Sequence, residues 1–256
     1  MHENTSPINS VAPLANVARL TQLIERCQTR AFGLPGMGCF FGRAGLGKTS
    51  AATYASNSRH RAVHVEVMPI GGVKTLLGMI VAELGMKPKP TAAAMFEQAA
   101  QELAISGRPL IIDEADKILH ETPIEIVRRL HDVSGVPVIL MGEEGLPQML
   151  QRWERVHSRM LSWVGAELAT SADVDHLAKI YAGKVTLGAD LKAALLAASN
   201  GSIRNVSTNL SHVSEHAATH GLHKIDLSDW GQRAFHTGVA PVPRTLGALP
   251  KLRRRA

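Results

Sequence analysis

The eight residues Gly42-Arg-Ala-Gly-Leu-Gly47-Lys48-Thr49 constrain this chain more than any other feature. They satisfy the pattern G-x-x-x-x-G-K-[ST], whose glycines let a loop wrap so that successive backbone N–H groups face an anion. The lysine adds a positive charge at the β- and γ-phosphates of a nucleotide, and the hydroxyl after it can ligate Mg²⁺. The apolar stretch Cys39-Phe40-Phe41 precedes the loop, and a helix-forming run, Ser50-Ala-Ala-Thr-Tyr-Ala, follows it. A strand that ends in such a loop and opens a helix aims the helix N-terminus at the phosphates. On this reading Gly42, Arg43, Ala44, Gly45, Leu46, Gly47, Lys48, Thr49 and Ser50 surround the phosphates of ATP, and Thr49 is a Mg²⁺ ligand.

A second element supplies the acids such a site needs. Pro109-Leu-Ile-Ile-Asp113-Glu114-Ala-Asp116 is an apolar strand that ends in carboxylates. In open α/β sheets ligands sit at the C-terminal ends of the strands. Asp113 is therefore the expected second Mg²⁺ ligand, direct or through water. Glu114 is placed to polarise an attacking water, and Asp116 reads as a cap or supporting group.

Periodicity fills in the rest. Apolar positions from Leu14 to Ile24 predict a helix over about 14–30. Short apolar runs predict strands at 38–41, 62–68, 109–112 and 136–141, with a fifth at 164–169. Helical stretches at 48–58, 73–84, 92–106 and 123–133 separate them, which requires a parallel sheet. Beyond Ser171 the pattern is helical, at 172–183, 189–200, 203 to about 220 and 227–235. The expected organisation is a flexible leader (1–13), a nucleotide-binding core (14–171), a helical lid (172–235) and a basic flexible tail (236–256).

Together these motifs resemble the AAA+ ATPases, over roughly residues 14–220. The resemblance implies a P-loop three-layer α/β sandwich with a parallel five-stranded sheet, followed by a small all-helical lid. It implies ATP with Mg²⁺ and an ATPase activity in which Lys48 and Glu114 are catalytic. Trp153-Glu-Arg155-Val-His-Ser158-Arg159 is similar to the arginine-finger segment of initiator and clamp-loader ATPases, which assigns Arg159 to a neighbouring subunit's site. Gly201-Ser-Ile-Arg204-Asn resembles the sensor 2 motif, which places Arg204 on the nucleotide of its own chain. One departure stands out. The fourth strand ends Met141-Gly142-Glu143-Glu144, without the usual Asn, Ser or Thr that orients water. Glu143 acting through a water, or slow, partner-stimulated hydrolysis, fits that change.

The run from Ile126 to Leu146 and the stretch from Gly72 to Gly85 are similar to ATPases that serve DNA transposition, such as phage Mu transposition protein B and its insertion-sequence and transposon counterparts. That resemblance implies ATP-dependent self-assembly into rings or helical filaments on duplex DNA, regulation of a transposase, and disassembly on hydrolysis. The Mu protein carries an additional N-terminal DNA-binding domain, for which the leader here is too short. Two other functions remain open. A replicative helicase loader shares the core, and a nucleotide-switch scaffold would assemble proteins without DNA.

Composition limits the setting. Two cysteines cannot make a disulfide-stapled secreted fold, the N-terminus is polar, and no apolar run approaches membrane-span length, so a cytoplasmic protein with no membrane partner is expected. The net charge of +6 is unevenly spread: five basic residues and no acids follow Pro243, which leaves 23 basic against 22 acidic residues elsewhere. Lys251, Arg253, Arg254 and Arg255 are thus candidate DNA-phosphate contacts, as are Lys74 and Thr75 at the opening of a helix. His212, His216 and His220 share one helix face, and with no carboxylate or cysteine at metal-ligand spacing they read as a solvated or subunit-facing stripe. Cys27 and Cys39 read as packing. Deleting residues 244–256 should flatten the salt dependence of DNA binding, measured by fluorescence anisotropy, and leave ATP binding intact; an unchanged salt slope would dismiss the tail as a DNA contact.

Overall fold

The computed structural model describes residues 13–68 and 70–239. The leader up to Ala12 and the basic tail with Lys251, Arg253, Arg254 and Arg255 lie outside the described residues.

Five strands form one parallel sheet: β1 (Met37–Phe41), β2 (Val63–Glu66), β3 (Leu110–Asp113), β4 (Val138–Gly142) and β5 (Met160–Gly165), in the order β2-β3-β4-β1-β5. Side chains alternate across the sheet and divide the core in two. Phe40, Ile111, Ile139 and Met141 face α1 (Ala15–Gln28) and α2 (Lys48–Asn57). Cys39, Leu110, Ile112, Val138 and Leu140 face α3 (Val73–Glu83), α4 (Ala92–Ser106) and α5 (Glu121–Ser134). The strands read as continuous apolar runs because both faces are covered. Two short helices that sequence periodicity does not reveal, α6 (Leu146–Leu150) and α7 (Glu154–His157), lead from β4 to β5.

The fifth strand lies four residues earlier than expected. Ser162 interrupts the apolar pattern of Met160–Gly165, yet it is buried beside Arg26, whose guanidinium lies 3.4 Å from its hydroxyl. Residues 166–169 instead join two parts of the fold: the Ala166 amide donates to Phe41 and the Ala169 amide to Gly201.

The C-terminal helices are α8 (Ser171–Tyr181), α9 (Ala189–Ala198), α10 (Ile203–Thr219) and α11 (Leu227–Trp230). This region is not wholly helical: β6 (Thr186–Leu187) pairs in parallel with β7 (Lys224–Ile225). The last helix stops at Trp230 because Gly231 takes a positive φ, which ends it well before residue 235. Val174, Leu177, Leu195, Val206 and Leu210 join the same apolar cluster as α1 and α2. Residues 236–237, expected to start a flexible tail, are tied to α10. Asn209 exchanges two hydrogen bonds with the backbone of His236, and Asn205 donates to Thr237. The histidine stripe is part of this docking: His216 lies against His220 and Trp230, and His212 against His236. No group of three metal-ligating side chains occurs among the described residues, and none of their helices is long and apolar enough to cross a membrane.

Cys27 and Cys39 are fully buried on opposite sides of the sheet. Burial pushes the Cys27 thiol up to about 11, against the pull of Arg30 and Arg26, and holds the Cys39 thiol far above its ordinary value. Because thiolate is the reactive form, neither should react with Ellman's reagent at pH 8 in the folded chain, and both should react after denaturation. Rapid labelling of the native protein would contradict this packing.

Candidate nucleotide-binding site

The loop between β1 and α2 carries out the wrap that its glycines permit. Gly45 and Gly47 hold φ of +84° and +80°, a region costly for side chains with a Cβ. A Cβ at Gly45 would also stand 2.7 Å from the Ser202 hydroxyl. The Lys48 ammonium folds back onto the loop and donates to the carbonyls of Gly42 at 2.6 Å and Arg43 at 3.0 Å. Its positive charge therefore already stands in the mouth of the cradle. Burial lowers the Lys48 pKa from the ordinary lysine value, while Asp113, Glu114, Glu143 and Asp116 pull it back up. An anion between this ammonium and the loop amides would relieve the first effect.

Two elements brace the loop from outside. From α1, the Asn16 amide donates to the carbonyls of Leu46 at 2.9 Å and Glu167 at 2.8 Å, and its oxygen accepts from the Glu167 amide at 2.9 Å. From α10, the Arg204 backbone N–H donates to the Gly45 carbonyl at 3.1 Å. The Leu46 side chain is buried, so this residue can serve a ligand only through its backbone. Arg43 points outward, 3.6 Å from Glu144.

Asp113, at the end of β3, is 1% exposed. Its Oδ2 accepts from the Thr49 hydroxyl at 2.8 Å and its Oδ1 from the Glu114 amide at 2.9 Å. Burial alone would raise its pKa, but His64, Thr49 and the Glu114 amide outweigh burial and hold the carboxyl below its usual range. His64 Nε2 stands 3.6 Å from Oδ2, outside hydrogen-bond range but close enough to favour the ionised acid. Thr49 and Asp113 thus meet as the residue set for Mg²⁺ requires: a hydroxyl and an ionised carboxylate, both hard oxygen donors. Glu114 adopts a left-handed conformation (φ 58°) and reaches Lys117 at 3.0 Å. Asp116 lies behind the site, where its Oδ1 accepts from the Glu143 amide at 3.4 Å.

These parts enclose a cavity of about 370 Å³. Its walls combine Gly45, Gly47, Lys48, Thr49 and Ser50 with Glu114, Glu143 and Arg204, and Tyr181, Ser207 and Thr208 complete the side toward the C-terminal helices. The residue set fits a nucleotide phosphate with its cation: a glycine-rich loop opening a helix, one ammonium, one guanidinium and a hydroxyl–carboxylate pair.

Arg159 is elsewhere. Its carbonyl accepts from the Met37 amide, at the start of β1, whereas the phosphate loop leaves the end of that strand. Five strand residues span roughly 16 Å, beyond the reach of an arginine side chain. Its guanidinium lies instead against Asp132, with Nε 3.1 Å from Oδ1, and donates to Ser158 Oγ at 3.0 Å. Because α7 ends at His157, Arg155 and Arg159 do not share a helix face. Lys74 is exposed at the start of α3, and Thr75 packs against Gly71 beneath it.

Asn16 and His64 escaped the motif reading. Asn16 had one signal: it falls four residues before Leu20 on the apolar face of α1, where a polar side chain needs a partner. His64 had none, because a single histidine in a strand is uninformative.

Residues 33–150 match the family model described as AAA domain. No curated protein matches. Among solved structures the chain is similar to the ORC1 protein of Aeropyrum pernix in complex with DNA (16% identity, TM-score 0.57, 84% of this chain and 62% of that one). It is also similar to Cdc6p of Pyrobaculum aerophilum (14%, 0.61, 82% and 62%) and to Drosophila ORC bound to DNA (15%, 0.56, 82% and 55%). The chain spans less than two thirds of each of those chains.

Removing the Asn16 amide strands buried polar backbone groups, at a cost of about 2 kcal/mol. Asn16→Ala should therefore lower Tm by roughly 4–8 °C in a calorimetric scan and weaken nucleotide binding; an unchanged Tm would deny that Asn16 braces the loop. Residues 33–150 thus match the AAA domain model, within a chain whose α/β fold, built on a five-stranded parallel sheet, is similar to the folds of those ORC1 and Cdc6p structures.

Proposed function

We propose that this protein is an ATP-dependent, DNA-binding ATPase that assembles with copies of itself on duplex DNA. The observation that carries the reading is the placement of the two arginines. Arg204 lines the cavity, and Arg159 lies at the opposite edge of the sheet. For Arg159 to meet a γ-phosphate, that phosphate must be held by another subunit. A site divided in this way makes turnover depend on assembly.

ATP with Mg²⁺ supplies a phosphoanhydride whose γ-phosphoryl group can pass to water. The residues divide the remaining tasks. The amides from Gly45 to Thr49 and the Lys48 ammonium hold the phosphates, which requires Lys48 to release the carbonyls of Gly42 and Arg43. Thr49 and Asp113 would hold the cation. Glu114 orients the attacking water once it turns from Lys117, and Glu143, on the cavity wall just after β4, can assist it. Arg204, on the helix that touches Gly45, couples phosphate binding to the position of the C-terminal helices, which act as a lid.

DNA binding rests on the likeness to DNA-bound ORC structures and on the placement of basic residues. Lys74 is exposed at the N-terminus of α3, where a backbone phosphate would meet it, and the tail arginines would add contacts that do not read sequence. The client we favour is a transposase, on the strength of the segments 72–85 and 126–146. A second reading, an initiator or helicase loader, is favoured by the ORC and Cdc6p likeness. Stimulation of DNA strand transfer by a transposase supports the first; delivery of a helicase to DNA supports the second.

Mutant hydrolysis assays test the division of the site. Lys48→Ala should lose ATP binding. Glu114→Gln should keep it and slow turnover about 100-fold or more. Arg159→Ala should also lose turnover, and mixing it with the Lys48→Ala chain should restore part of it, since one subunit then supplies the finger and the other the nucleotide. Complete lack of rescue would argue against a site shared between subunits.

A further inference from the structure

The side of the sheet facing α1 and α2 is built from Phe40, Ile111, Ile139 and Met141, with Ala51, Ala52 and Ala55 of α2 above it. One imidazole intrudes on it. His64 lies opposite Ile111 in the β2–β3 register, and Glu66 lies opposite Asp113. Alternation along the strands therefore sends the His64 and Asp113 side chains to the same face. The His64 side chain is 14% exposed, and its Nε2 is buried without a hydrogen-bond partner, 3.6 Å from Asp113 Oδ2. Buried polar atoms are rarely left unpaired, and one left so in a native fold calls for a specific role such as service to a reaction or to a bound ion.

The acceptor has room for it. Asp113 Oδ1 accepts one bond, from the Glu114 amide, and Oδ2 accepts one, from Thr49. A carboxylate oxygen offers two lone pairs, so one remains on each, that of Oδ2 for His64 and that of Oδ1 for the cation. A shift of about half an ångström would bring His64 into hydrogen-bond range.

We infer that His64 is a positioning residue for Mg²⁺: its Nε2–H fixes the Asp113 carboxylate through Oδ2, so that Asp113 and Thr49 meet the cation in one orientation. This rests on the reading of Thr49 and Asp113 as the cation site. A ligating carboxylate is normally held by a further hydrogen bond, and losing such a support typically weakens metal binding by about 10- to 100-fold. His64 is not among the residues that line the cavity, so its effect belongs to the cation and not to the nucleotide.

The test titrates Mg²⁺ against the purified full chain with a fluorescent ATP analogue, in parallel with the analogue in EDTA. His64→Leu keeps the volume and loses the donor. It should raise the Mg²⁺ concentration at half-effect about tenfold, while affinity in EDTA stays that of the parent. His64→Gln places an N–H donor where Nε2 stands and should restore the parent midpoint to within about threefold; His64→Asn, one bond shorter, should behave as the leucine variant. If His64→Leu does not fold, the Gln and Asn variants carry the comparison. A parent-like Mg²⁺ midpoint in both His64→Leu and His64→Asn, or equal loss in Gln and Asn, overturns the inference. Retained analogue binding by Lys48→Ala would instead overturn the nucleotide site on which it rests.

Discussion

The candidate site depends on one wrapped loop whose amides must converge without a side chain in the way. Residues 42–49 take that shape only because Gly45 and Gly47 accept positive φ, and they keep it because other elements hold their carbonyls. Asn16 takes the Leu46 carbonyl from one side, and the first turn of α10 takes the Gly45 carbonyl from the other. The loop that would offer its amides to an anion is thereby held by bonds to the carbonyls of its own peptides. The C-terminal helices are consequently in direct backbone contact with the loop, so a change at the phosphates has a short route to their orientation.

Charge within the site follows the same economy. Lys48 is half withdrawn from water and faces several carboxylates, of which Asp113 is held ionised by hydrogen bonds despite its burial. Such an arrangement is poised for a ligand that carries both negative phosphates and a cation. The opposite sheet edge is poised differently. There Asp132 pairs with both Arg128 and Arg159, which holds the Arg159 guanidinium in place in the single subunit.

Much of this was legible in the sequence. The phosphate loop and the Asp113-Glu114 strand end are dictated by local chemistry at fixed spacing, and five buried parallel strands leave apolar runs that periodicity detects. What was hidden depended on tertiary partners. The register of β5 was obscured by Ser162, which is polar yet buried. The β6–β7 pair has only two residues per strand, too few for any pattern. The anchoring of residues 236–237 by Asn205 and Asn209 comes from side chains that look solvated in sequence. His64 and Asn16 belong to the same class, single polar residues whose meaning lies in a partner distant in the chain.

On the proposed reading, with its net charge concentrated beyond Pro243, a single subunit would offer duplex DNA few contacts, and tight binding would require many subunits acting together. The central claim is that ATP makes that assembly possible through a site shared between neighbours. Electron microscopy of the protein with duplex DNA tests it most directly. A non-hydrolysable ATP analogue should give ordered rings or filaments on DNA that are absent with ADP and lost in the Arg159→Ala chain. Identical assemblies with and without nucleotide, or none on DNA at low salt, would contradict the account.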